Sequence, residues 1–495
     1  MNASIWEASV PEQAFDTLTT DMDVDVAIIG GGITGVTTAA LCAEAGLRVA
    51  VLEAYRIGRG TTARSTGNLY ATIDNQLYAL ANKWDARTAL EVAQSRRSAI
   101  DLIASLVQQH GIACDYREAD WHLFAPEDDH EAIDAIEREQ AALRQAGFAA
   151  DFIDTLPIGM QARRAIVLPA QAQLNPLAYT AGLATAVRST KCQFFEHCAA
   201  LEIDDNIIKM RNAIVRARHI VMATHTPKGF HPIQTELGPY SEYGIAAPVD
   251  TPLPAGIFWS LGQTKHSLRG FSYNGQHYVM AIGSKHKTGQ AEDTQACYGA
   301  LEDFLRAHFN INTIAHRWTA QHFRPADGLP YIGRVRGQDN VYVASGYATD
   351  GLVYGTLAAT LLCDEITGKE NRCAELYSAR RFAPLKSAGD FIKENTNVAA
   401  QMAKDLLTNL PETALENIQP GEGRLIEYDG QKAAACRDAQ GQLRLLSPFC
   451  THMKCIVHWN RAEATWDCPC HGSRFAADGS VLEGPALHPL QRVDA

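Results

Sequence analysis

The stretch from Asp25 to Glu53 restricts the fold more than any other part of the chain. It reads as a short buried strand (VAII), a glycine turn, a helix with apolar positions through Leu41, and a second strand (VAVLE) after Gly46. This is one βαβ unit. Gly30, Gly32 and Gly35 stand as G-x-G-x-x-G between the first strand and the helix, and Glu53 ends the second strand. Gly30 permits the tight turn, Gly32 lets the backbone approach a pyrophosphate, and Gly35 lets the helix sit close on the strand. Phosphates then face the free N–H groups of the helix start, whose dipole favours anions, and Glu53 can accept from ribose hydroxyls. A glycine triplet alone also fits an ordinary turn. With strand, helix and terminal acid all in place it predicts a dinucleotide site.

The 495 residues exceed what one core serves, because domains run about 100 to 200 residues, so two or more are expected. Ordinary hydrophobic (46%) and charged (20%) fractions exclude disorder. A net charge of -12 with no Lys/Arg run argues against nucleic-acid binding. The first residues have neither the basic start nor the apolar stretch of a secretory signal, which predicts a cytoplasmic protein. Glu44 and Arg48 interrupt the best candidate for a membrane span, so none is expected. Helical spacing runs from Ala86 to His110 and stops at Gly111, and DAIEREQAALRQ makes a second helix before Gly147. Alternating segments such as HYVMAIG suit an antiparallel sheet walling a pocket. ARHIVMATH around Val221 and the strand-to-helix segment NVYVASGYATDGLVYGT look like returns to the first domain. A polar, helix-permissive stretch from Leu385 to Pro411 reads as a linker, and an all-β pattern follows it.

A second glycine and hydroxyl loop, GRGTTARSTGN, and the late turn at Gly346 favour FAD over a nicotinamide cofactor. DVAIIGGGITG, GRGTTARSTG, ATH, GLPYIG and ASGYATDGL together resemble the D-amino-acid-oxidase family of flavoproteins, over roughly residues 20–385. The resemblance implies an α/β Rossmann-like FAD-binding domain (residues 1–85, 160–240 and 323–385) with an inserted α+β substrate domain (86–159 and 241–322), and a linker at 386–411. It also implies that Thr61 and Thr62 lie near the pyrophosphate, and that Ser65, Gly67 and Asn68 lie near the isoalloxazine. Ala200 would contact the adenine through its backbone. Gly346 starts the late turn, and the amides of Asp350, Gly351 and Leu352 would stabilise charge on the reduced flavin. Arg324 stands where similar amine oxidases clamp a substrate carboxylate; an inter-strand salt bridge is the alternative. His225 and His286 are further candidates near the pocket. Neither the flavin-proximal loop nor the Arg324 segment has a Cys or His where relatives attach the cofactor, so FAD is expected to be held non-covalently.

Most of the twelve cysteines are scattered and read as small buried hydrophobes, but Cys450, Cys455, Cys468 and Cys470 cluster with histidines. CTHMKC and CPCHGS offer two thiolates and two imidazoles from adjacent loops. Structural zinc also accepts such a set, although it seldom uses this spacing. The segment resembles the C-terminal all-β Rieske [2Fe-2S] domain, here residues 412–495. The resemblance implies Cys450 and Cys468 on one iron, His452 and His471 on the other, a disulfide between Cys455 and Cys470, and a covering loop in GPALHPL. Ser473 can donate to a cluster sulfur. Phe475 stands where respiratory relatives often carry tyrosine, and the missing hydroxyl should lower the potential.

The combination predicts an oxidoreductase that takes two electrons from a small amine or amino-acid-like substrate into FAD and passes them through the cluster to an external one-electron acceptor. Two alternatives remain at this point. One is an oxygen-using amine oxidase whose cluster is a sensor or structural clip, and the other is an electron-transfer module without its own substrate.

Overall fold

The computed structural model describes residues 3–126, 129–411 and 415–493. Its first sheet is built on β1 (Met22–Ile29), which is followed by α1 (Ile33–Glu44) and pairs in parallel with β2 (Val49–Leu52). β3 (Cys192–Phe195) extends the sheet beyond β2, and β4 (Ile214–Met222) lies on the other side of β1, both in parallel. α1 packs on one face and a second apolar cluster drawn from strands and loops covers the other, which is why VAII and VAVL are buried throughout and show no alternation.

The second sheet has nine strands, among them β5 (Leu237–Val249), β6 (Gln276–Lys287) and β7 (His316–Pro325), with β5 antiparallel to both β6 and β7. The chain then returns to the first sheet as β8 (Val341–Ser345), parallel to β4, and enters α2 (Gly351–Thr367), which packs against α1. Helix Ala86–His110 begins at Asp85, whose carboxylate accepts from the Thr88 amide at 2.7 Å, and ends at left-handed Gly111, where the sequence placed its ends.

Two segments differ from expectation. Strand Arg164–Gln173 belongs to the second sheet, where it pairs with Arg117–Ala125, and not to the first. Its cross-strand partners are distant in sequence, so local pattern could not assign it. The segment expected as a linker is for the most part a packed helix, α3 (Pro384–Leu407). Glu394 accepts from Tyr240 at 2.9 Å and pairs with Lys287 at 2.5 Å, while Asp405 faces His458 at 3.0 Å and Val398 and Met402 pack on the C-terminal core. This helix therefore ties the second sheet to the C-terminal lobe.

That lobe holds a three-stranded and a four-stranded antiparallel sheet. Its core is small, centred on Trp466, Phe475 and five cysteines, and includes an ion pair between Arg474 and Asp467 at 3.1 Å with both side chains almost wholly buried. Asp467→Ala leaves the buried guanidinium with Glu483, at 3.3 Å, as its remaining acid partner and is expected to cost about 3 kcal/mol. Thermal unfolding of the lobe reads this as a lowered Tm, and a change below about 1 kcal/mol contradicts it.

Candidate active site and redox centre

The C-terminal ends of β1, β2, β4 and β8 converge on one edge, the usual ligand position of an open parallel sheet. Gly30 has φ +107°, and a Cβ there would lie 2.4 Å from the Ala223 carbonyl oxygen. A Cβ on Gly35 would lie 1.9 Å from the Gly30 oxygen, so α1 rests directly on the turn. Gly32 caps α1 without a side chain, and the Thr62 hydroxyl accepts from the Ile33 amide at 3.1 Å. The Glu53 carboxylate accepts from the Gly31 amide at 2.7 Å and the Tyr55 amide at 2.8 Å. Burial raises its pKa, an effect that those amides and Lys228 only partly offset.

The other predicted residues gather along the same edge. Thr61 faces His225 Nδ1 at 3.3 Å, and Ser65 closes the short helix Thr61–Arg64. Gly67 has φ +74° with the Leu174 carbonyl 2.2 Å from where its Cβ would stand. Asn68 accepts from Gln173 at 3.1 Å, while its own Nδ2 is buried with no partner. Ala200, partly buried, follows β3 just beyond Cys198, whose amide donates to the Glu53 carbonyl at 2.8 Å. Gly346, at φ +80°, leaves β8, and Asp350 leads into α2 with Gly351 and Leu352 in its first turn. Glycine turns without room for side chains, a buried terminal acid and an unpaired amide donor fit a dinucleotide such as FAD.

Arg324 on β7 donates to Asn75 Oδ1 at 2.9 Å and lies 5.4 Å over the Tyr240 ring. Around it the structure gathers residues that the sequence did not single out: Asp74, Glu242, Lys285 and His322. Asp74 pairs with Lys285 at 3.1 Å, and its amide donates to Asp350 at 3.2 Å, so this charged cluster adjoins the start of α2. His286 is not part of it: the ring faces Tyr243 at 3.0 Å on the other side of the sheet. The only local hint was His322, two residues before Arg324 in HFRPADG.

In the C-terminal lobe Cys450, His452, Cys468 and His471 come together. The His452 and His471 ring centroids are 5.1 Å apart, and His452 Nε2 and His471 Nδ1 are buried with no hydrogen-bond partner. Contact with the Cys468 thiol, outweighing burial and helped by the His452 and Met453 amides and the Ser473 hydroxyl, holds Cys450 below the usual thiol range. Burial, with the His452 charge second, pushes His471 down to about 4, which favours the neutral, ligating form. Cys455 and Cys470 form a disulfide that pins the two loops. Two buried thiols with two unpartnered imidazole nitrogens fit a two-iron cluster held by sulfur on one side and nitrogen on the other.

A family model for FAD dependent oxidoreductases (DAO) matches residues 25–365, and one for the Rieske [2Fe-2S] domain matches residues 409–494. The chain belongs to the DAO family of FAD-dependent oxidoreductases and carries a C-terminal Rieske domain. The chain is 33% identical over 497 residues to YhfW of Bacillus subtilis, which bears the name of a Rieske 2Fe-2S iron-sulfur protein; 99% of this chain and 97% of that one are covered. It is 24% identical over 392 residues to the gamma-glutamylputrescine oxidoreductase of Escherichia coli, covering 75% of this chain and 90% of that protein. Glycine oxidase from Geobacillus kaustophilus shares the fold with a TM-score of 0.58 at 19% identity, covering 73% of this chain and 99% of that one. FAD and a [2Fe-2S] cluster are therefore the cofactors of this DAO-family chain. Among the described residues no helix is long and apolar enough to cross a membrane.

The Rieske loops rest on the flavoprotein part. Gln321 on β7 donates to the Gly472 carbonyl at 2.8 Å, and a Cβ on Gly472 would meet Gln321, Pro239 and Phe323 at 2.1, 2.7 and 3.2 Å. The Gly229 amide donates to Pro485 in the covering loop at 2.9 Å, Tyr55 donates to the Val481 carbonyl, and the Gly229 backbone partly offsets the burial that lowers the His452 pKa. Residues alternate across a strand. His322 and Arg324 thus look toward the charged cluster, while Gln321 and Phe323 look toward the loop of His471. Phe323 also meets the His225 ring edge-on at 4.8 Å, and His225 touches Thr61 in the cofactor turn.

Proposed function

We propose that the chain is a dehydrogenase for amine or amino-acid-like CH–NH donors, delivering electrons from FAD to its own Rieske cluster and on to an external one-electron acceptor. The observation that carries this reading is the use of the two faces of β7, one for the charged residues beside α2 and one for the cluster loop. A tethered one-electron carrier held against the flavoprotein has a high effective concentration as acceptor, a provision that an enzyme reoxidised by oxygen alone does not need. The relatives named for glycine and gamma-glutamylputrescine support the donor class.

FAD, when bound, supplies the two-electron acceptor, and the cluster supplies a one-electron carrier. The chain's own residues hold the dinucleotide at Gly30, Gly32, Gly35, Glu53, Thr61, Thr62 and the Ser65–Asn68 loop. Arg324 orients a carboxylate, and Gln321 with Gly472 fixes the cluster loop. Anaerobic stopped-flow mixing with amines, N-methyl amino acids and imino acids tests the reading. Flavin bleaching should be followed by loss of the oxidised cluster's absorbance within a turnover. A cluster that stays oxidised while the flavin bleaches refutes the dehydrogenase and favours the oxidase with a structural or sensing cluster.

A further inference from the structure

The charged cluster around Arg324 holds more than a carboxylate clamp needs. Glu242 on β5 sits where the register against β6 shifts between Ser241 and Tyr243, a bulge that re-aims the side chain. The residue is only partly exposed, and its carboxylate makes no hydrogen bond among the described residues. Lys285 faces it from β6, Arg324 from β7 and Asp74 from the loop before helix Leu77–Lys83. Asp74 is already committed to Lys285 and, through its amide, to Asp350. His322, stacked on Tyr240 at 5.9 Å, closes the group with a buried Nε2 that has no partner. One unpaired carboxylate and one guanidinium thus stand together, partly exposed, beside the start of α2.

We infer that Glu242 accepts the ammonium proton of the bound substrate, so that this group takes a zwitterionic amine whose carboxylate lies toward Arg324. This rests on the reading of the chain as an oxidoreductase for CH–NH donors. One N–H bond of the ammonium breaks and one O–H bond forms on Glu242. The pair left on nitrogen becomes the second bond of C=N when the adjacent C–H gives its hydride to FAD. An ammonium cannot do this, because its nitrogen has no free pair. Burial drives the Glu242 carboxyl up to about 7 against the pull of Lys285 and Arg324, with Asp74 adding to the rise. The same surroundings leave Asp74 at about 2: burial would raise it, but Lys285 above all, with His322 and Arg324, outweighs burial. Asp74 is therefore ionised throughout and is too weak a base for this step, while Glu242 is matched to it near neutrality.

The test uses the FAD- and cluster-loaded protein, anaerobic flavin bleaching by glycine, N-methylglycine and L-proline across pH, and perturbation of flavin absorbance by propionate and by n-propylamine. In the unsubstituted protein bleaching should rise with pH as Glu242 ionises through about 7. Glu242→Gln should slow bleaching at pH 8 by about tenfold or more, and leave a rise only toward the amine's own, higher pKa. It should weaken n-propylamine binding and leave propionate binding, which needs Arg324, unchanged. Glu242→Asp, which keeps a carboxylate, should retain the limb near neutrality. An unaltered rate and pH profile in Glu242→Gln, or loss of the limb in Glu242→Asp, overturns the inference. If none of the amines bleaches the flavin, the CH–NH reading fails and takes this inference with it.

Discussion

Gly472→Ala is expected to uncouple the two cofactors while leaving FAD in place. Gly472 follows His471 at φ +75°, where a side chain costs about 1–2 kcal/mol in backbone energy alone. The added Cβ would also lie 2.1 Å from Gln321 Nε2 and 2.7 Å from Pro239 Cβ, so the loop cannot stay seated on β5 and β7. Overpacking of this kind adds about 1–3 kcal/mol, and the 2.8 Å bond from Gln321 to the Gly472 carbonyl breaks as the loop lifts. Because the substitution touches the cluster loop, Gln321→Ala is the companion: it removes the same donor from the flavoprotein side and alters nothing in the Rieske lobe. In both variants substrate should bleach the flavin at the usual rate, while subsequent cluster reduction slows by about tenfold or more, the equivalent of about 1.4 kcal/mol in the contact that aligns donor and acceptor. Electron paramagnetic resonance of the chemically reduced protein checks that the cluster is still present. Unchanged cluster reduction in both variants means that the Gln321–Gly472 contact does not set the electron route.

The local signals were strong where chemistry demands fixed spacing along the chain. G-x-G-x-x-G after a strand left little freedom for Gly30, Gly32 and Gly35, because turn, phosphate approach and helix packing all act within one βαβ unit. Cys-x-His with Cys-x-x-His was equally legible as a candidate site, and the fold brings Cys450, His452, Cys468 and His471 together. Glu242, Lys285 and His322 were not legible. They sit on three strands whose order in the sheet is set by register, and a shift of one residue would turn each to the opposite face. Gln321 and Phe323 escaped for the same reason: strand alternation sends them to the face opposite their sequence neighbour Arg324. The polar composition of α3 suggested a linker because its partners, Tyr240, Lys287 and His458, are all remote in sequence.

Gly35→Ala is expected to abolish FAD binding, although it adds a single methyl group to a helix that would otherwise favour alanine by about 1 kcal/mol. The backbone of Gly35 is not left-handed, so no conformational strain is involved. The obstacle is steric: the new Cβ would stand 1.9 Å from the Gly30 carbonyl oxygen, 3.1 Å from its carbon and 3.2 Å from Ile28 Cγ2. Two of these are backbone atoms that cannot rotate away, so α1 must lift from the turn or the turn must deform. Either movement withdraws the amides at the head of α1 from the pyrophosphate position and shifts Gly31, whose amide holds Glu53. Gly46→Ala is the control. That glycine lies at φ +89° with nothing within 4 Å of its Cβ position, so it should cost about 1–2 kcal/mol in backbone energy and leave FAD bound. The flavin-to-protein ratio of purified protein reads the difference, and the Rieske resonance reports that the C-terminal lobe has still folded. Full flavin content in Gly35→Ala would show that the turn can yield, and that close seating of α1 on β1 is not what holds the cofactor.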